Sequence, residues 1–213
     1  MSFVVDVWSD VVCPFCYLGS RQLSRALAAF DHADEVVVRH RAFELDPHAK
    51  MSYEQDLVSL VARKYGISVE QSRAQHDRLT AEAAKLDLTW HFDRARPTNT
   101  FDAHRVIAAG NAQGMGDAIT EALFAAYFTQ GELVSDHEVL ARLAREVGLV
   151  GAEDLLTSDR YADVVRADEA DALELGISGV PSILLDGRFM VVGARGADEI
   201  LSVLNRAWAR RSA

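Results

Sequence analysis

Phe3-Val-Val-Asp-Val-Trp-Ser-Asp-Val-Val-Cys-Pro-Phe-Cys-Tyr-Leu-Gly19 is the stretch whose reading decides the fold. Phe3 to Trp8 is β-branched and aromatic, broken once by Asp6, as expected of a buried central strand. Beyond the two cysteines, Tyr17, Leu18, Leu23, Ala26, Leu27 and Phe30 recur at spacings of three and four, which gives one apolar helical stripe. The cysteine pair therefore opens a helix directly after a strand. Glu35 to Leu45, rich in valine at first, reads as a second strand ending at Asp46-Pro47, and completes a strand–helix–strand unit.

From about residue 51 to 175 the pattern is helical, with almost no strand signal. The spacing predicts helices over Tyr53–Tyr65, where Leu57, Leu60 and Val61 share a face before Gly66, and from Ser68 through Leu86, with Ser68 as cap and Gln71 three residues on. Others are predicted over Thr100–Ala112, Asp117–Thr129, Asp136–Val147 and Tyr161–Leu175. Past Gly179, two short apolar runs flank Asp186-Gly187, a strong hairpin signal, and a last helix runs from Ala197 to about Arg210. The order is βαβ, a long helical block, then ββα. The expectation is an α/β domain built from residues 1–50 and 176–213, with residues 51–175 as a large all-helical insertion.

The 213 residues carry a formal charge of −10, which argues against a phosphate-backbone partner, since nucleic acids need clustered Lys and Arg. The N-terminal stretch has no basic region followed by an apolar core, and no apolar run reaches the ~18–20 residues of a membrane span. No membrane association is expected, and the simplest location is cytoplasmic. Two cysteines, three positions apart, are too few for a disulfide-stapled secreted fold. A structural zinc site needs about four ligands, and the histidines at 32, 40, 48, 76, 91, 104 and 137 are scattered, so no metal is expected. Redox chemistry is the leading use of the pair.

A dithiol that cycles between reduced and oxidised forms needs two sulfurs close enough to bond, one of which reacts first. At a helix start, Cys13 lies where free N–H groups and the helix dipole favour an anion, while Cys16 is one turn further in and shielded. Cys13 is thus the attacking thiolate and Cys16 the resolving thiol. Pro14 suits the first helical position. Phe15 adds no charge or hydrogen bond, so an intermediate redox potential is expected. The bland alternative is two buried, inert thiols; a pair opening the helix of a βαβ unit favours the redox reading. Pro181 starts the late strand, where the residues alone leave open an ordinary trans proline or a cis bond presenting Val180 to an extended substrate.

Taken together, Ser-Asp-Val-Val-Cys-Pro-Phe-Cys-Tyr-Leu-Gly (9–19), Phe-Glu-Leu-Asp-Pro (43–47), Asn-Thr-Phe-Asp-Ala-His-Arg (99–105) and Gly-Val-Pro-Ser (179–182) resemble the DsbA family of the thioredoxin superfamily, in its cytoplasmic FrnE-like branch. The resemblance covers nearly the whole chain. It implies a thioredoxin fold with an inserted helical domain, Cys13 and Cys16 as a redox-active disulfide, and Pro181 as a cis-proline beside it. Kappa-class glutathione transferases and 2-hydroxychromene-2-carboxylate isomerases look similar but typically have Ser where this chain has Cys13.

Several residues admit two readings. Asp6 or Asp10 could accept the proton that Cys16 releases, or be a solvated strand-end acid. Trp8 and Tyr17 could line a substrate groove or belong to the core. His104 and Arg105 fall on a helix facing the groove, or serve packing with Asn99 as cap. Ser182 and Gly193-Ala-Arg195 are candidate contacts for glutathione as co-substrate, or simply a strand end and turn. The leading expectation is dithiol–disulfide exchange, of reductase or isomerase type, on protein or small-thiol substrates, with no bound cofactor. The alternatives are a glutathione-dependent isomerase or transferase, which retention of Cys16 argues against, and a non-enzymatic redox-sensing or chaperone-like module. Monomer and homodimer are both compatible.

Overall fold

The computed structural model describes residues 2–211, and Phe3–Ser9 (β1) lies at the heart of its sheet. The strand order is β2-β1-β3-β4, with β2 (Val36–Ala42) parallel to β1 and β3 (Ser182–Leu185) antiparallel to it. β4 (Phe189–Val192) pairs antiparallel with β3 and forms an edge. The crossover between β1 and β2 is α1 (Pro14–Ala28), and α9 (Ala197–Ala209) closes the chain. Strand alternation divides β1 between two faces. Phe3, Val5 and Val7 pack with Leu23 and Phe30 of α1 and with Ile200 and Leu204 of α9. Trp8 is buried on the opposite face, where its indole N–H donates to the Asp168 carbonyl at 2.9 Å.

Between β2 and β3 lie α2 (Leu57–Tyr65), α3 (Val69–Ala84), α4 (Phe101–Ala112), α5 (Gly116–Ala125), α6 (His137–Glu146), α7 (Ala152–Leu156) and α8 (Ala162–Glu174). The mixed α/β architecture of a thioredoxin fold, with helices between its two strand pairs, is as the sequence pattern indicated.

Several boundaries differ for identifiable reasons. β2 is shorter than Glu35–Leu45 because Glu35 closes a 3₁₀ turn and Glu44 and Leu45 leave the sheet, the Leu45 N–H donating to Asp10 Oδ2 at 2.8 Å. α2 starts at Leu57, not Tyr53, because Asp56 caps it by accepting from the Ser59 N–H at 2.8 Å. α3 ends before Leu86 because Leu88 N–H and Leu86 N–H both turn back onto the Ala83 carbonyl. α5 passes into a π-helical turn, Ala126–Gln130, that ends at left-handed Gly131. The short α7 carries too few residues to show a periodic pattern.

At the hairpin, Asp186 and Gly187 have φ of 50° and 66°, the backbone sense that matches strand twist, and the Arg188 N–H returns to the Leu185 carbonyl. The Val180–Pro181 bond is cis. Gly19 lets α1 approach Pro181: a Cβ there would sit 2.9 Å from the proline Cγ.

Candidate active site

The strand-to-helix turn after β1 sets the cysteines. The Cys13 N–H donates to the Asp10 carbonyl at 3.0 Å, and Cys13 takes extended backbone angles as the residue capping α1, with Pro14 in the first turn. The Cys16 N–H then donates to the Cys13 carbonyl at 3.0 Å, which places the second thiol one turn inward. No acidic residue stands in that first turn. Both thiols are free and buried, but only Cys13 lines a groove; its Sγ lies 3.9 Å from the Val180 carbonyl, just before Pro181. Burial, reinforced by the neighbouring Cys13, pushes the Cys16 thiol well above its ordinary range.

The groove encloses about 980 Å³ and runs from Cys13 and Pro14, past Gly179 and Val180, to α2 and α3. At this size it falls at the top of the range for ligand pockets. Its wall is largely apolar: Leu57, Leu60 and Val61 of α2 face it, and in α2 only Ala62 is fully buried. Phe15, Leu45 and Tyr65 stand along it at 50%, 42% and 67% exposure, an unusual density of accessible large apolar side chains. His76 on α3 also lines it, stacked on Phe92, and burial lowers its affinity for a proton.

The other candidates fall in different places. Asp6 is engaged by Arg39 at 2.8 Å through both oxygens and by Arg41 at 2.9 Å, so it is an ion-paired sheet residue. Asp10 borders the groove beside Cys13 but is only 1% exposed, and its N–H points at Cys16 Sγ, 3.5 Å away. Trp8 and Tyr17 do not line the groove. Tyr17 is buried with its ring stacked on Phe124 at 4.8 Å and its hydroxyl donating to Glu121 at 2.8 Å. His104 is buried away from the groove, beside Asp10, while Arg105 donates to the carbonyls of Leu155, Ser158 and Arg160 and to Asp102. Asn99 Oδ1 accepts the Phe101 N–H at 2.9 Å at the start of α4. Ser182 is buried, its hydroxyl donating to the Gly179 carbonyl at 2.9 Å, and Arg195 Nε donates to the Val192 carbonyl at 3.0 Å.

Sequence reasoning missed the groove wall on α2, whose stripe of Leu57, Leu60 and Val61 is indistinguishable from a core stripe without knowing what covers it. It also missed Tyr127 and Glu44. Glu44 lies in the quoted 43–47 stretch, yet nothing in its neighbours signals a buried carboxylate. Among the described residues no cluster of His, Cys, Asp and Glu could hold a metal ion, and no helix is long and apolar enough to cross a membrane.

A family model described as a DSBA-like thioredoxin domain matches residues 4–205. The uncharacterized protein YwbO of Bacillus subtilis (strain 168) is 30% identical over 202 residues, spanning 93% of this chain and 94% of that one. A crystal structure of a probable DsbA oxidoreductase from Streptomyces coelicolor superposes with a TM-score of 0.91 at 38% identity, covering 97% of this chain and 90% of the other. A cytosolic disulfide reductase, DsbM from Pseudomonas aeruginosa, shares the fold at a TM-score of 0.63 and 18% identity, over 98% and 97% of the two chains.

Proposed function

The chain belongs to the DSBA-like thioredoxin family, whose members include thiol–disulfide oxidoreductases, and on that premise we propose that it exchanges disulfides through Cys13 and Cys16 as a reductase or isomerase. One observation carries the reading: Cys13 opens onto an apolar groove beside the Val180 carbonyl, while Cys16 is buried directly behind it. Cys13 as thiolate attacks a substrate disulfide, forming a mixed disulfide and releasing one substrate thiolate. Cys16 then attacks the Cys13 sulfur, closing the intramolecular disulfide and releasing the second. An external thiol such as glutathione restores the dithiol by the reverse exchange, two thiols being oxidised per turnover. The groove's length and apolar wall suit a peptide segment flanking a cysteine, with Gly179 and Val180 supplying backbone groups to an extended chain. The presence of Cys16 supports this reading over a glutathione-dependent isomerase, which needs no resolving thiol.

The test is insulin reduction and scrambled-ribonuclease reactivation by wild type, Cys13→Ser and Cys16→Ser. Cys13→Ser should lose both activities, and Cys16→Ser should accumulate mixed disulfides. Wild-type protein that does neither reaction, or a Cys13→Ser variant that retains them, would sink the proposal.

A further inference from the structure

The groove beside Cys13 is electrically lopsided in a chain that carries −10 overall. Its wall on α2 is one helical face: Leu57, Leu60, Val61 and Lys64 recur at spacings of three and four, and Arg63 lies a turn beyond Leu60. That face starts apolar and ends cationic. Leu57 packs against the core that contains Cys13 and Cys16, whereas Lys64 stands in the last turn of α2, ~10 Å further along the axis at ~1.5 Å per residue. Arg63 and Lys64 are exposed, and among the described residues neither forms an ion pair or a side-chain hydrogen bond. Asp56, the acid that caps their helix, is engaged by Ser59 through both oxygens. His76 also lines the groove, but burial lowers its hold on a proton, so the cationic end consists of Arg63 and Lys64. The acids lining the groove belong to the other end: Asp10 lies just before Cys13, and Asp46 follows Leu45, whose N–H binds Asp10 at 2.8 Å. Cations in a last helical turn complement the helix dipole, which explains their place on α2 but not why both line the groove.

We propose that Arg63 and Lys64 are the specificity-determining residues of the groove, selecting extended peptide segments in which an apolar residue separates the reacting cysteine from an acidic one. The inference rests on the exchange reading above and names its substrate class. Gly179 and Val180 offer backbone groups beside Cys13, while Leu57, Leu60 and Val61 take the apolar side chain and the two cations meet the carboxylate. At ~3.3 Å per residue of extended chain, the distance from Leu57 to Lys64 spans about three residues. A small thiol such as glutathione is polar along its length and leaves the apolar stretch unmatched. Elsewhere the negative charge of the chain repels an acidic peptide, so attraction is confined to the cationic end of the groove. Cys13 and Cys16 perform the same exchange on every substrate, and the cations decide which peptide is held beside them.

The experiment uses reduced full-length protein and short peptides whose single cysteine is joined to a chromogenic aromatic thiol. Leucine stands beside the cysteine, and Glu, Gln or Lys is placed about two to five residues away on either side; oxidised glutathione is the parallel substrate. Attack by the Cys13 thiolate on the peptide sulfur forms a protein–peptide disulfide and breaks the original S–S bond. The aromatic thiolate leaves with the electron pair and is followed by stopped flow. At low salt and subsaturating concentration, the best-placed Glu peptide should react about fivefold faster than its Gln counterpart, and the Lys peptide slower still. The Glu-to-Gln ratio should fall to about one in ~1 M salt, where the screening length is ~3 Å. It should also fall to about one in the double variant Arg63→Gln, Lys64→Gln, and persist in Arg63→Lys, Lys64→Arg, which keeps both charges. Because each protein is read by the ratio of two peptides, any change in stability or in Cys13 reactivity cancels. A Glu preference that survives the double Gln variant or high salt, or that is absent from wild type at every placement, overturns the proposal. So does a double Gln variant whose only loss is toward oxidised glutathione. Wild-type protein that releases no aromatic thiolate from any peptide would instead strike the exchange reading itself.

Discussion

Cys16 is a carboxylate-neighboured thiol with no access to the groove, and the consequence is a measurable dependence of stability on pH. Burial holds its folded-state value well above the ordinary one, so native protein keeps the proton where unfolded chain loses it. The stabilisation is fully present below the thiol's ordinary value and is lost as pH rises from there toward the folded value, at up to about 1.4 kcal/mol per pH unit. Buried Tyr17 and Tyr127 are pushed the same way at still higher pH, so the thiol's share is isolated by difference. Urea unfolding of reduced wild type should show this alkaline loss, and Cys16→Ala should show less of it; equal slopes would mean that Cys16 is not buried as described. At this scale the position of the two cysteines at the start of a helix behind a buried strand was legible, because the strand run and the apolar helical stripe flank them directly. Which partners Asp6 and Asp10 would find was not legible. Strand phase orients Asp6 but says nothing about a residue in the turn beyond Ser9, and only the folded chain brings Arg39 and Arg41 to one acid and His104 to the other.

Among the elements, α2 and α3 form one wall of the groove, and they depend on their caps. Ser68 Oγ accepts the Gln71 N–H at 3.1 Å while Gln71 Oε1 accepts the Ser68 N–H at 2.9 Å, and the Ser72 hydroxyl ties α3 back to the Val58 carbonyl at 2.9 Å. Ser68→Ala should therefore cost about 1 kcal/mol of stability. Because the loss falls on a groove wall and not on the thiols, it should raise KM for a peptide disulfide with kcat little changed; an unchanged KM alongside lowered stability would separate α3 from substrate binding. The capping box was readable from Ser68 and Gln71, since its chemistry is local. Where β2 stops was not, because the Leu45 N–H is claimed by Asp10, a residue 35 positions earlier. The stripe on α2 was readable as apolar but not as a groove wall, since periodicity identifies a face without saying whether protein or substrate covers it.

In the whole molecule, two cores meet at α1. Its Leu23 and Ala26 pack into the sheet core with α9, while Cys16, Tyr17 and Leu18 join a core shared with Ile107, Leu123, Phe124 and Leu140 of the helices between the two strand pairs. That strands from both ends of the chain share one sheet was legible from its βαβ and ββα segments. That the helical core would extend into the cysteine helix was not, because Tyr17 and Leu18 sit on the same periodic stripe as Leu23. The shared helix bears on cooperativity: neither core can lose its packing without stripping one face of α1, so the chain should melt as a single unit. At ~0.7 kcal/mol per residue near 60 °C, 213 residues unfolding together give a transition enthalpy on the order of 150 kcal/mol. Scanning calorimetry of the reduced protein should return that value from both the peak area and its sharpness. A sharpness-derived enthalpy of about half the area, or two resolved peaks, would show that the helical segment and the sheet unfold independently despite the helix they share.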